Sequence, residues 1–439
     1  MITLFALLTV ADSMRYLDNG RIRLGVDLDK GGSITYLAKS GGPNMVNSCD
    51  FGRQIQMSFY SGPVPYAPGG KQPAKAWEGL GWNPIQTGDY YGHPAKVIDF
   101  RVDAPESRIK NAEDTSFYIK CIPMHWPLNN VPGECTFEEW IRLDGNVVII
   151  RDRLVNSRPD RTQFQARGQE LPAIYTNGPW YRLISYTGDA PFCLAPTKEF
   201  TEKPPNSTFP WVGIHANESW AALVDKDGDG LGIVEPGIMQ FSGGFFGEPG
   251  KGGPSDSPTG YIAPNAVDIL DSNISYEFTY DLVVGSLDQI RRRAYVRVPR
   301  PEPPIYLFQT DRQHWSYINC EDAGWPVRGE LNVKMEKNDP QLIGPVGFWR
   351  AGSAPKLTIE AAFSTHGTDA QVFWSRSDTP GFAQARSVIF TAIPDGKFHR
   401  YIVNLASSPE YRGVITQLRF DPEPSGAPGD EVRIRSIGF

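Results

Sequence analysis

Apolar and polar side chains along this chain alternate with a period of two, in short runs broken by Gly, Pro, Asn and Asp. Successive side chains of an extended strand point to opposite faces, so this pattern predicts antiparallel β structure with one buried face per strand. Residues 21–28 show it most cleanly, with Ile22, Leu24, Val26 and Leu28 on one side and Arg21, Arg23 and Asp27 on the other. Runs at 33–37, 55–60, 116–122, 136–143, 147–155, 162–169, 221–224, 231–234 and 276–284 read as further strands. One segment departs from the pattern: 287–295 has helical spacing, with Ser286 placed to cap it and Asp288 in its first turn. Next comes V-P-R-P-E-P-P at 298–304, whose prolines lack the amide hydrogens a ladder needs, so it reads as a stiff linker. Strand-like runs resume between 356 and 437. The expectation is an all-β chain: a large antiparallel domain over 14–298, a Pro-rich linker over 299–305 and a β-sandwich or jelly roll over 306–439.

Composition narrows the class. Of 439 residues, 40% are hydrophobic and 12% aromatic, too many core-forming side chains for a disordered protein. No apolar run approaches the roughly 20 residues of a helical membrane span. A net charge of −7 offers no basic footprint for nucleic acid. Residues 2–10 are apolar and are followed by Ala11, Asp12 and Ser13, with small residues where a signal peptidase reads. Residues 1–13 therefore fit a short export signal and a secreted or periplasmic location. Because no Lys or Arg precedes the run, a first strand in a cytoplasmic protein is the other reading. Five cysteines cannot all pair internally, and none stands in C-x-x-C spacing, which argues against zinc. Cys121 and Cys135 flank a turn-rich connection and are either bridged or two buried free thiols on neighbouring strands.

Candidate chemistry concentrates in the loop 77–94, which gathers Trp77, Trp82, Tyr90 and Tyr91 with Asn83, Asp89 and His93. Long ordered loops of this make-up tend to carry function. Aromatic faces stack on the C–H face of a sugar ring while Asn, Asp and His bond its rim; Asp89 can act as acid or base, and His93 titrates near neutrality. The bland reading is a plug of buried aromatics. On a strand over 162–169, Gln163, Gln165, Arg167 and Gln169 share one face, presenting amides and a guanidinium suited to sugar hydroxyls, or else forming an ordinary solvated face. Glu170 ends that strand. On 136–143, Glu138 shares a face with Trp140 and Arg142, while Glu139 shares the other with Phe137, Ile141 and Leu143. If Glu139 points into apolar packing, burial raises its pKa, while Arg142 beside Glu138 holds that carboxylate ionised; a structural Glu139 paired with an arginine is the more common outcome of such a pattern. His125 and Trp126 lie on the connection between the two cysteines. Asp225, Asp227 and Asp229 follow the D-x-D-x-D-G order of calcium loops, but the twelfth position is Pro236, and a tight hairpin turn accounts for the same residues. No other cofactor is expected.

The opening Asn19-Gly20-Arg21-Ile22, Val26-Asp27, Gly31-Gly32-Ser33-Ile34 and Asp50-Phe51-Gly52-Arg53 resembles the start of galactose-mutarotase-like supersandwich domains, found in aldose epimerases, glycoside hydrolases and polysaccharide lyases. The closing 415–422 and 432–437 resemble the last strands of carbohydrate-binding jelly rolls. The resemblance implies a poly- or oligosaccharide partner, and a histidine and a carboxylate on a concave face for proton transfer: His93 or His125 as acid, Glu170 or Asp89 as base. The leading expectation is cleavage of a glycosidic bond by two carboxyls about 5 to 10 Å apart. A non-catalytic glycan-binding or adhesion protein is the alternative, and a lyase with Tyr90 or His93 as base a second one.

Overall fold

The computed structural model describes residues 13–103, 116–201 and 210–439, so the expected export signal lies outside the described residues, Ser13 aside. The fold is nearly all β, with 47% strand and 6% helix. Ten strands form one antiparallel sheet, whose path runs Met14–Asp18, Ile22–Asp27, Ile34–Lys39, Ile55–Ser58, Arg167–Thr176, Thr259–Asp268, Gln240–Phe246, Val212–His215. The short strands Pro84–Ile85 and Met124–His125 branch from Ile55–Ser58. A nine-stranded sheet, with Ser116–Ile122, Cys135–Asp144, Val147–Asn156 and Ser275–Ser286 among its strands, stacks on it. The alternation explains the stacking: Leu24, Val26, Ile34 and Leu37 from one sheet share a core with Ile119, Phe137, Ile141, Ile150 and Leu282 from the other. All of these side chains are buried, and burying one such side chain stabilises by about 1.5–3 kcal/mol.

The helix spans Leu287–Arg297 and starts with a complete capping box, in which Ser286 accepts from the Gln289 amide and Gln289 accepts from the Ser286 amide. It buries Ile290 and Ala294 against Trp220, Val234 and Val283 of the nine-stranded sheet. Residues 299–304 form no regular element. Beyond them two six-stranded sheets enclose a second core around Trp315, Ile359, Phe363, Trp374, Phe420 and Val432.

That second core takes in Ile269 and packs against Ala166, so the two parts of the chain touch. A buried ion network fastens them. Arg312 donates to Asp271 at 2.6 Å and to both oxygens of Asp322 at 2.6 Å. Gln163 donates to Asp271 and Asp322 and accepts from the Asp322 amide. This overturns the strand expected at 162–169: residues 157–166 carry no strand and instead cross to the second core, and the strand begins at Arg167. Period-two spacing is therefore accidental there, because tertiary contacts decide the backbone path.

Local contacts describe two further regions. Cys121 and Cys135 are buried free thiols on paired strands, with Cys121 opposite Phe137. Asp225, Asp227 and Asp229 form a hairpin turn between Trp220–Val224 and Asp229–Val234. Asp225 accepts from the Asp227 and Asp229 amides, Asp227 pairs with Lys226, and Asp229 pairs with Lys39. The carboxylates thus serve the turn, and among the described residues no group of three or more His, Cys, Asp or Glu is placed to hold a metal.

Candidate functional site

Glu170 stands where the strand Arg167–Thr176 is interrupted. Its register partners are Ser58 on one side and Asn265 on the other, and both ladders shift immediately after it. Pro172 follows two residues on and has no amide hydrogen to give, which suits a bulge, and a bulge re-aims the side chain beside it. Leu171 and Ile174 enter the core between the sheets, whereas Ala173 and Tyr175 belong to a separate cluster with Tyr261, Ala263 and Trp211 on the opposite face. Glu170 is half-buried beside that cluster.

The carboxylate is held by tyrosines. Tyr60 donates its hydroxyl to Oε2 at 2.7 Å, and Tyr261 donates to Oε1. Burial, with the Glu170 charge beside them, pushes both hydroxyls well above the ordinary tyrosine range, so they remain donors. Ser58 donates in turn to the Tyr60 hydroxyl at 3.1 Å. Each carboxylate oxygen has a second lone pair, so two positions remain for a ligand hydroxyl. Around this centre Tyr175 and Trp211 tilt against Tyr261 with ring centroids 5.1 and 4.9 Å away, and Ser242 donates to the Asn265 side chain at 2.6 Å. Gly244 permits the arrangement: a Cβ there would lie 2.2 Å from the Pro210 carbonyl, and its absence lets Trp211 settle on the sheet.

Most of the other residues singled out by sequence serve the fold. Asp89 is buried and accepts from the amides of Tyr91, His93 and Asn130 and from His93 Nδ1 at 2.9 Å, so it clamps the loop and is no free acid or base. His93 is 40% exposed but looks out beside that clamp. His125 is fully buried, with Nε2 2.9 Å from Glu134. Trp82 is also fully buried and donates to Glu134 at 3.2 Å, while Tyr66 donates to the other oxygen. Burial alone would raise the Glu134 pKa; the bonds from His125 and Tyr66 outweigh it and hold the carboxyl at about 2. Asn83 is buried and donates to the Phe59 carbonyl. Gln169 is buried, bracketing Tyr60 by accepting from its amide at 2.8 Å and donating to its carbonyl at 2.9 Å. It positions Tyr60 and cannot reach a sugar. Arg167 donates to the Gly79 carbonyl, tying the aromatic loop to the sheet.

Trp77, Tyr90 and Tyr91 of that loop form a ring cluster with Trp126 from the connection between the cysteines, with Tyr90 and Tyr91 each close to half exposed. The contrast on Cys135–Asp144 holds, with a different arginine. Burial pushes Glu139 upward, with a single bond from Gln86 opposing it. Glu138 is drawn below its usual range, since bonds from Arg153 and Lys120 outweigh its burial. Arg153 faces Glu138 across the strand pair, whereas Arg142 lies along Glu138's own strand. Glu138 and Glu139 belong to the nine-stranded sheet and Glu170 to the other one. Among the described residues, no two of Asp89, Glu138, Glu139 and Glu170 bond to one another or share a side-chain bonding partner.

No protein-family model matches the chain, and no curated protein matches it. Solved structures similar to it include an Escherichia coli protein described as a putative aldose 1-epimerase, 14% identical with a TM-score of 0.35, over 62% of this chain and 99% of that one. A galactose mutarotase-like protein from Lactobacillus casei is 10% identical with a TM-score of 0.35, over 62% and 99%. A GH36 alpha-galactosidase from Geobacillus stearothermophilus is 8% identical with a TM-score of 0.35, over 63% of this chain and 40% of that one.

Proposed function

We propose that this protein is carbohydrate-active and that it binds a sugar ring on the outer face of the ten-stranded sheet, where Glu170 moves a proton on a sugar hydroxyl. The observation that carries this reading is the half-buried Glu170 carboxylate, held between Tyr60 and Tyr261 and flanked by Tyr175 and Trp211. Aromatic rings offer a platform for the apolar C–H face of a pyranose. Asn265, Ser242 and Ser58 supply amide and hydroxyl groups of the kind that bond its rim. A carboxylate braced by two donors that stay protonated has a fixed direction, which is what proton transfer in a positioned complex requires.

Glycosidic cleavage by paired carboxylates has weaker support, because Glu170's partners are tyrosines and the other three candidate acids are engaged elsewhere. A purely binding role is the second reading, favoured by the tyrosine bond that each Glu170 oxygen already accepts. Glu170→Gln separates the two. An isosteric amide keeps the shape but removes the base, so binding of a recognised sugar persists within about tenfold while turnover falls by about 10² or more. Turnover is followed by polarimetry and by release of reducing ends over a panel of mono- and polysaccharides. Unchanged turnover in Glu170→Gln would rule out the proton-transfer role.

A further inference from the structure

Where the ten-stranded sheet meets the C-terminal sheets, both parts of the chain line a cavity of about 660 Å3. Small-molecule sites are typically about 300 to 1,000 Å3. Within it sits a cluster that the Glu170 site does not use. Asp268 is only 7% exposed and accepts the Tyr276 hydroxyl at 2.5 Å and His314 Nδ1 at 3.0 Å. Since both neighbours of Nδ1 are carboxylate oxygens, that nitrogen carries the hydrogen and Nε2 is the ring nitrogen left for a ligand. The His314 side chain is 38% exposed, and among the described residues Nε2 has no partner.

The backbone that presents this ring is strained. Gln313 and His314 both lie in the left-handed region, at φ 49° and 62°, a conformation that persists in non-glycine residues only where the surroundings impose it. Here Gln313 accepts from the Leu307 amide, and Arg312 next door is locked to Asp271 and Asp322. The walls are aromatic, from Tyr306, Trp325, Phe348 and Trp349. Carboxylates of Glu277, Glu302 and Asp311 also line the space and would repel an anion. Stacking surfaces, one fixed imidazole and surrounding acceptors describe a site for a neutral polyol.

The cavity is not isolated. A smaller hollow of about 220 Å3 shares His314, Pro345 and Val346 with it and is lined on its other side by Asn265, the register partner of Glu170.

We propose that the cleft holds further units of a neutral oligosaccharide whose reacting unit lies at Glu170, with His314 as the bonding group and the C-terminal sheets as part of the substrate site. This rests on the Glu170 reading, and the test separates the two. Calorimetry on the full chain uses glucose, galactose, maltotetraose, cellotetraose and β-1,4-galactotetraose as probes. The expected result is a tetrasaccharide that binds about tenfold or more tightly than its monosaccharide, with that advantage lost in His314→Gln and in Trp325→Ala while monosaccharide affinity stays within about twofold. Trp211→Ala, which removes the ring beside Glu170, should weaken both ligands, while Glu170→Gln leaves both bound within about tenfold. Binding that responds to Trp211→Ala but not to His314→Gln or Trp325→Ala overturns the cleft proposal alone. Binding that responds to the cleft variants but not to Trp211→Ala overturns the Glu170 reading and the shared site. Absence of binding by every probe overturns both. His314→Gln retains a donor for Asp268, and its thermal melt checks that the interface is intact.

Discussion

The interior of the larger core holds carboxyls that should make stability fall as pH rises. Glu139 is 1% exposed and accepts one bond, from Gln86 at 3.1 Å. Asp152 lies directly opposite it in the strand pair, is equally buried and accepts from Tyr280 at 3.2 Å, leaving Oδ1 without a partner among the described residues. Burial raises Glu139 to about 8 from an ordinary 4.5, and burial plus the Glu139 charge raises Asp152 well above its ordinary value. The sign follows from linkage. Between the two Glu139 values the folded chain keeps a proton that the unfolded chain releases, so its stabilising contribution is complete below the unfolded value and is lost as pH climbs to the folded one. Each pH unit in that window removes about 1.4 kcal/mol, so the step from pH 5 to pH 7 removes about 3 kcal/mol. Glu139→Gln keeps the shape and a partner for Gln86 but deletes the titration. Urea unfolding of both proteins at pH 5, 6, 7 and 8 gives the comparison. The variant should gain on the wild type by about 3 kcal/mol between pH 5 and 7, with m-values unchanged. Parallel stability curves over that range would refute the assignment of a buried, protonated Glu139.

Three further outcomes are expected. Asp89→Ala removes the acceptor of three backbone amides and of His93, so it should destabilise by about 1–3 kcal/mol and speed proteolysis within 86–94, seen by limited digestion and mass spectrometry. Arg312→Leu leaves Asp271 and Asp322 buried without their cation, a loss of about 3–5 kcal/mol; calorimetric melting should show it, and should split into two transitions if the network couples the two cores. Because Cys121 and Cys135 are free, excess dithiothreitol should leave the melting temperature of the wild type unchanged, whereas a bridge would lower it.

Period-two alternation made the strand content legible, and Ser286 with Asp288 made the only α-helix of the described residues legible, because both signals depend on neighbours a few positions apart. The opposed environments of Glu138 and Glu139 were legible for the same reason: adjacent residues of a strand face opposite ways. The Glu170 cradle was not. Tyr60, Glu170 and Tyr261 are far apart in sequence and meet through the register Ser58, Glu170, Asn265, which no local pattern encodes. The aromatic loop misled in part because composition cannot distinguish Trp82, which is buried and bonded to Glu134, from Tyr90, which is half exposed. Gln163 and Gln169 misled because an amide that suits a sugar hydroxyl suits a backbone carbonyl or a buried carboxylate equally well.

The most direct measurement is a crystal structure of the full chain with a bound tetrasaccharide that calorimetry has shown to bind. A sugar ring within hydrogen-bond distance of Glu170, resting against Trp211, with the chain continuing past Asn265 towards His314, is the expected result. Sugar density confined to the Trp77, Tyr90 and Trp126 patch, with the Glu170 face bare, would contradict the account.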